Sequence, residues 1–135
     1  MIQLSNTTAQ TIVPGGSVTF DIVMLHTGCG ECFNRQIPKS VKLCGKGIYE
    51  LHFSANITAS AAATSLQLAM AVGGQPLVET VMNATPAAAG DLVNVSRSTL
   101  FDNCCCDMDR ISIVNTGTAP VTIAPNSNFY VKRVS

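Results

Sequence analysis

The chain has 135 residues, enough for one domain (1–135) with a core of its own. It carries 8 basic and 8 acidic residues, and charged residues make up only 12% of the sequence, so it lacks the basic footprint of a nucleic-acid binder. Mean hydropathy is +0.31, yet the longest apolar runs are pieces such as LAMAV, far short of the roughly 20 residues of a membrane-spanning helix. A chain this apolar and weakly charged, with no membrane segment, is expected to bury part of its surface against copies of itself. The opening MIQLSNTTAQTIVPGG has neither a basic stretch nor an apolar one, so no secretory signal is expected.

Residues 2–4 form the first expected strand. After PGG at 14–16 comes a second, 18–25 (VTFDIVML), where alternation lapses because Val23, Met24 and Leu25 are all apolar. A strand apolar on both faces is covered on both, which points to a subunit contact. A short strand at 41–44 precedes the turn GKG. In GIYELHFSANITAS (47–60), Tyr49, Leu51, Phe53, Ala55 and Ile57 fall on one face, with Glu50, His52, Ser54 and Asn56 on the other. In SLQLAMAV (65–72), Leu66, Leu68, Met70 and Val72 share a face. The Ala-rich lead-in before it suits a helix, but the alternation that follows argues for a strand. Further strands are expected at 77–81, 92–100, 110–114, 121–123 and 129–134, separated by GGQP, NTGTAP and APN. Many short strands between Gly/Pro turns indicate an all-β sandwich or barrel.

From Gly47 onward the order of these pieces resembles a known superfamily. GIYELHFSANITAS is similar to the glycine–aromatic central strand of tumour-necrosis-factor-like and complement-type globular heads. SLQLAMAVGGQPL resembles their next strand and turn, DRISIVNTGTAPVTI a late strand and turn, and NFYVKRVS the closing strand; upstream, SVTFDIVMLHTG fits as well. The resemblance implies an antiparallel two-sheet jelly-roll that assembles as a homotrimer. It is closest to bacterial exosporium heads on collagen-like filaments and to small Firmicutes prophage virion proteins. Two features depart from the exosporium pattern: residues 1–135 contain no Gly-X-Y repeat, and NCCCDMD stands where a short Ala-Gly-Asp turn is usual.

The six cysteines are Cys29 and Cys32 in HTGCGECF, Cys44, and Cys104, Cys105 and Cys106 in DNCCCDMDR. In extended chain Cys104 and Cys106 point one way and Cys105 the other. Four sandwich crossings separate Tyr49 from Leu100, so Cys44 and the triple are expected at the same end of the molecule. Three readings stay open. Disulfides could join Cys29 or Cys32 to the triple and Cys44 to another member, each worth about 2–4 kcal/mol. A zinc site could be built from Cys29, Cys32, Cys104 and Cys106, with His26 as a spare ligand. Or the thiols are inert, small core residues. Absence of an export signal speaks against disulfides, and release inside a particle would restore them. A thioredoxin-like role for Cys29 and Cys32 needs a helix N-terminus in a βαβ setting, which this pattern does not offer.

No Ser-His-Asp or paired-carboxylate arrangement is evident, and His52 falls on the polar face of its strand. Asn-x-Ser/Thr triplets at Asn6, Asn56, Asn83 and Asn94 are attributed to chance. The sequence therefore reads as a non-enzymatic trimeric jelly-roll, a capsid-decoration or fibre-head component of a phage or prophage virion. It would be made in the cytoplasm and sit among other virion or surface-layer proteins, with no nucleic-acid or membrane partner and no cofactor beyond the zinc alternative. The competing reading is a spore or cell-surface trimeric head with a receptor- or glycan-binding role.

Overall fold

Strict alternation over residues 47–58 produces the longest strand of the molecule, and the rest of the fold is hung on it. The computed structural model describes residues 1–27, 31–34, 37–43, 45–62, 64–103 and 110–135, with the backbone alone at 31–34 and 37. In chain order the strands are β1 (Ile2–Ser5), β2 (Gln10–Ile12), β3 (Ile22–His26), β4 (Glu31–Asn34), β5 (Ile37–Leu43), β6 (Gly47–Thr58), β7 (Leu66–Val72), β8 (Gln75–Pro76), β9 (Met82–Ala84), β10 (Val93–Asn103), β11 (Arg110–Asn115), β12 (Val121–Ile123) and β13 (Asn128–Arg133).

They form two antiparallel sheets. The seven-stranded front sheet runs β2-β12-β6-β13-β1-β3, and β10 pairs along β6 from Val93↔Ile57 to Asn103↔Gly47. Because β10 takes one whole edge of β6, β12 and β13 share the other edge end to end. The six-stranded back sheet runs β4-β5-β11-β7-β8, with β9 also on β7. Between the sheets lies one apolar core. Tyr49, Leu51, Phe53 and Ile57 enter it from β6, Leu66, Leu68 and Met70 from β7, and Ile111 and Ile113 from β11. Phe129 anchors its centre, stacked on Phe20 at 5.2 Å and edge-on to Phe53 at 6.5 Å. Each such ring contributes on the order of 1.5–3 kcal/mol through burial alone.

Turn chemistry follows the sequence where it counts. Gly73 and Gly74 both hold positive φ (58° and 87°) in the two-residue turn that joins Val72 to its partner Gln75. At Gly47 (φ 151°) a Cβ would come within 2.5 Å of the Ser135 carbonyl oxygen, so a side chain there would push the C-terminus off the start of β6.

Two expectations need correction. Residues 77–81 are not a strand: Val78–Thr80 is a single 3-10 turn. The cause is Thr80, fully buried, whose hydroxyl donates to the Leu77 carbonyl at 2.7 Å and accepts from the Met70 amide at 3.0 Å. A side chain thereby takes over a ladder bond, and Val78 is turned out to 83% exposure. Nor is 18–25 one strand. Val18 and Phe20 bond to Ile113 and Pro38 of the back sheet, and from Ile22 the chain pairs with β1 in the front sheet. Asp21 marks the switch. Its carboxylate accepts the hydroxyl and the amide (2.9 Å) of Thr7, and these bonds hold its pKa below the ordinary aspartate value. The lapse in alternation is thus a change of sheet, followed by a bulge between Gln3 and Leu4 that turns Leu25 outward opposite Gln3. β2, β4, β8 and β9 had no counterpart among the expected strands.

Candidate functional site

The cysteine-bearing end is defined by the residues that flank the cysteines. Lys42 of β5 stands opposite Cys32 of β4 on one side and Arg110 of β11 on the other. Asn103, the last residue of β10, faces Gly47, and its side-chain amide donates to the Gly45 carbonyl at 2.9 Å. The buried Tyr49 hydroxyl donates to that same carbonyl, also at 2.9 Å. The neighbours of Cys44 and of Cys104 therefore meet at one end, as strand parity requires. Parity holds although 77–81 is no strand, because β8 and β9 together still run antiparallel along β7. Cys29, Cys44, Cys104, Cys105 and Cys106 lie outside the described residues, and Cys32 is described only by its place in β4.

A second assembly of side chains covers the outer face of the front sheet. Register puts Ser98 (β10), His52 (β6), Tyr130 (β13), Gln3 (β1) and Leu25 (β3) in one row across five strands. The His52 ring stacks on Tyr130 at 4.9 Å, and its Nδ1 lies 2.6 Å from the Ser98 hydroxyl. Tyr130 donates to Glu50 at 3.3 Å; burial, then the Glu50 carboxylate, push the phenol above its usual pKa. The hydroxyl–imidazole contact is not a triad. Among the described residues Glu50 bonds Tyr130 rather than His52, so no carboxylate orients the imidazole toward Ser98. His26 is on β3, opposite Ile2.

At the corner of this face, β1, β3 and the turn before β13 enclose a hollow of about 200 Å³, lined among others by Gln3, Asn6, Ile22, Met24, Asn126 and Asn128. Asn6, 2% exposed, builds the corner. Its amide nitrogen donates to the carbonyls of Thr8 (2.9 Å) and Ala124 (3.1 Å), while its oxygen accepts the amide (3.1 Å) and the hydroxyl of Ser127. Of these residues the sequence pointed only to Asn6, as a chance triplet, and to Met24, as part of an apolar run expected at a subunit contact. The one further sequence signal is the density of carboxamides in NSN at 126–128.

No family model and no curated protein matches the chain. Solved structures do. The Eiger TNF of S. frugiperda superposes with a TM-score of 0.76 at 10% identity, covering 99% of this chain and 91% of that one. The chain has the tumour-necrosis-factor-like jelly-roll fold. The globular domain of zebrafish complement 1qA gives 0.68 at 12% identity, covering 96% and 94% of the two chains. The vertex protein P5 of PRD1, a phage, gives 0.52 at 12%, covering 99% and 96%. Identities this low establish the fold, which hosts many functions. The expected all-β two-sheet jelly-roll is what the chain adopts. The narrower likeness to exosporium heads and prophage proteins has no support among these structures.

Proposed function

We propose that three copies of the chain close into a non-enzymatic ring, a building or surface-decorating block of a phage or prophage particle. One observation carries the assembly: the outer face of the front sheet is apolar at both edges and polar between them. Met24 (58% exposed) and Leu25 (41%) project from β3 at one edge, and Leu100 (67%) projects from β10 at the other, with Leu92 (60%) just before it. Two different strips on one chain make a head-to-tail contact, and such contacts generate closed rings when the rotation permits. The eleven-residue β10 also has no strand partner on its second edge among the described residues, an aggregation liability that a neighbouring subunit would cover. The fold shared with complement and TNF heads favours three-fold closure, and the fold shared with a phage vertex protein favours the virion setting.

Leu100→Glu is expected to convert a trimer to monomers in native mass spectra while the β-sheet circular dichroism is kept. A wild-type chain that is monomeric at tens of micromolar overturns the ring. The same spectra distinguish the cysteine readings. A loss of about 2 Da per thiol pair marks disulfides. A gain of about 63 Da per subunit, removed by chelator, marks zinc. For the setting, immunogold labelling of particles released by the source cells is expected to decorate the particle surface. Label confined to spores or the cell wall would overturn the virion reading in favour of a surface head.

A further inference from the structure

We propose that the corner hollow between β1, β3 and the 124–127 turn is a binding site for a neutral sugar ring. The lining carries no charged side chain, so nothing there would pair with a phosphate, sulfate or carboxylate. What it offers are carboxamides. Gln3 Nε2 donates to Asn128 Oδ1 at 2.9 Å, which commits one donor and one acceptor and leaves the Gln3 carbonyl oxygen and the Asn128 amino group for a ligand. That balance survives a concerted flip of both amides, which frees the Gln3 amino group and the Asn128 carbonyl oxygen instead; a flip of one alone would set two like groups against each other and break the bond. Among the described residues the Asn126 side chain makes no hydrogen bond, and its positive φ (69°) sets it at the tip of the turn. Ile22 and Met24 supply an exposed apolar wall on the opposite side.

This is the inventory a pyranose requires. Adjacent ring hydroxyls each donate and accept, matching a paired carbonyl and amino group, while the C–H face needs an apolar surface. A volume of about 200 Å³ falls below the roughly 300–1,000 Å³ of sites for drug-sized ligands, which limits the occupant to one ring. The hollow is also preformed. Asn6 ties the end of β1 to the turn, and the Ser5 hydroxyl donates to the Ser127 carbonyl, so little ordering is left for binding to accomplish. A second polar cleft, between β9 and β10, is different in kind. It contains a cation, Arg97, whose Nε (3.0 Å) and Nη2 (2.7 Å) donate to the Glu79 carbonyl, and it carries no comparable apolar wall.

The site is complete within one chain and so goes beyond the ring. Asn128 lies off the apolar strips, whereas Gln3 stands opposite Leu25 and Met24 belongs both to the wall of the hollow and to the strip on β3, so the parallel mass measurement separates a loss of binding from a loss of the ring. The test is saturation-transfer NMR and calorimetry of the full chain with glucose, galactose, mannose and N-acetylglucosamine, set against glucuronate and glucose 6-phosphate, with mass measured in parallel. At least one neutral sugar is expected to saturate with a dissociation constant on the order of millimolar. Asn128→Ala and, independently, Gln3→Leu are expected to weaken that affinity at least about tenfold, while Asn83→Ala in the other cleft leaves it unchanged. No saturable neutral sugar, tighter binding of the charged sugars, or undiminished affinity in a folded Asn128→Ala or Gln3→Leu chain would each overturn the site. A monomer that still binds would sink the ring and leave the sugar site standing.

Discussion

Phe53→Ala is expected to destabilise the fold by about 3–5 kcal/mol, read as a fall in the urea midpoint at unchanged slope. Phe53 is 0% exposed, lies at the middle of β6 and meets Phe129 edge-on. It faces Arg97 of β10 and Phe129 of β13 in the ladders on either side, so no neighbouring strand can slide into the space its ring would vacate. The loss would be a large share of the 5–15 kcal/mol that holds a typical domain together. Ser54→Ala, on the outer face of the same strand and off both apolar strips, is the control and should stay within about 0.5 kcal/mol. Equal effects of the two would mean that β6 and β10 are one residue out of register, since such a slip exchanges the faces.

The strands that could be read from sequence are those with one wet and one dry face. β6, β12 and β1 were recognisable because alternation there records a single boundary between core and solvent: Tyr49, Leu51 and Phe53 are buried, and Glu50, His52 and Ser54 only half so. Where that boundary changes, the pattern fails. At Asp21 the chain leaves one sheet for the other, and apolar residues on both sides of the switch read as one long strand. At 77–81 the apolar residues looked like a strand because the pattern cannot see the Thr80 hydroxyl substituting for a neighbour. β2 and β4, with three and four residues, are too short to show a period. The cysteine end was legible at the level of topology, since strand parity brings the flanks of Cys44 and Cys104 together. Thiol chemistry depends on side-chain geometry, which parity does not carry. The corner hollow was invisible for a related reason: its amides come from β1, the chain just after it, and the turn and first residue of β13, which only the fold makes adjacent.

Asn6 shows how much such a non-periodic residue can matter. Asn6→Ala is expected to cost about 3 kcal/mol, because it removes four hydrogen bonds at a buried position and strands the Ser127 amide together with the carbonyls of Thr8 and Ala124. Asn6→Asp separates the two halves of the clamp. The remaining carboxylate can still accept from Ser127, but its second oxygen would face two carbonyl oxygens where an amino group stood. Burial and those dipoles both disfavour the charged form, so the folded-state pKa of an aspartate here would rise above the unfolded value of about 3.9. The sign then follows from linkage. The penalty is fully present above the folded-state pKa and is relieved as the pH falls through it, because the protonated acid again donates one bond. At neutral pH Asn6→Asp should therefore be less stable than Asn6→Ala, and the gap should narrow on acidification toward pH 4. Urea midpoints measured from pH 7 to pH 4 decide it: a gap that does not change with pH would mean that the side chain at position 6 reaches water and that the corner is not closed as described.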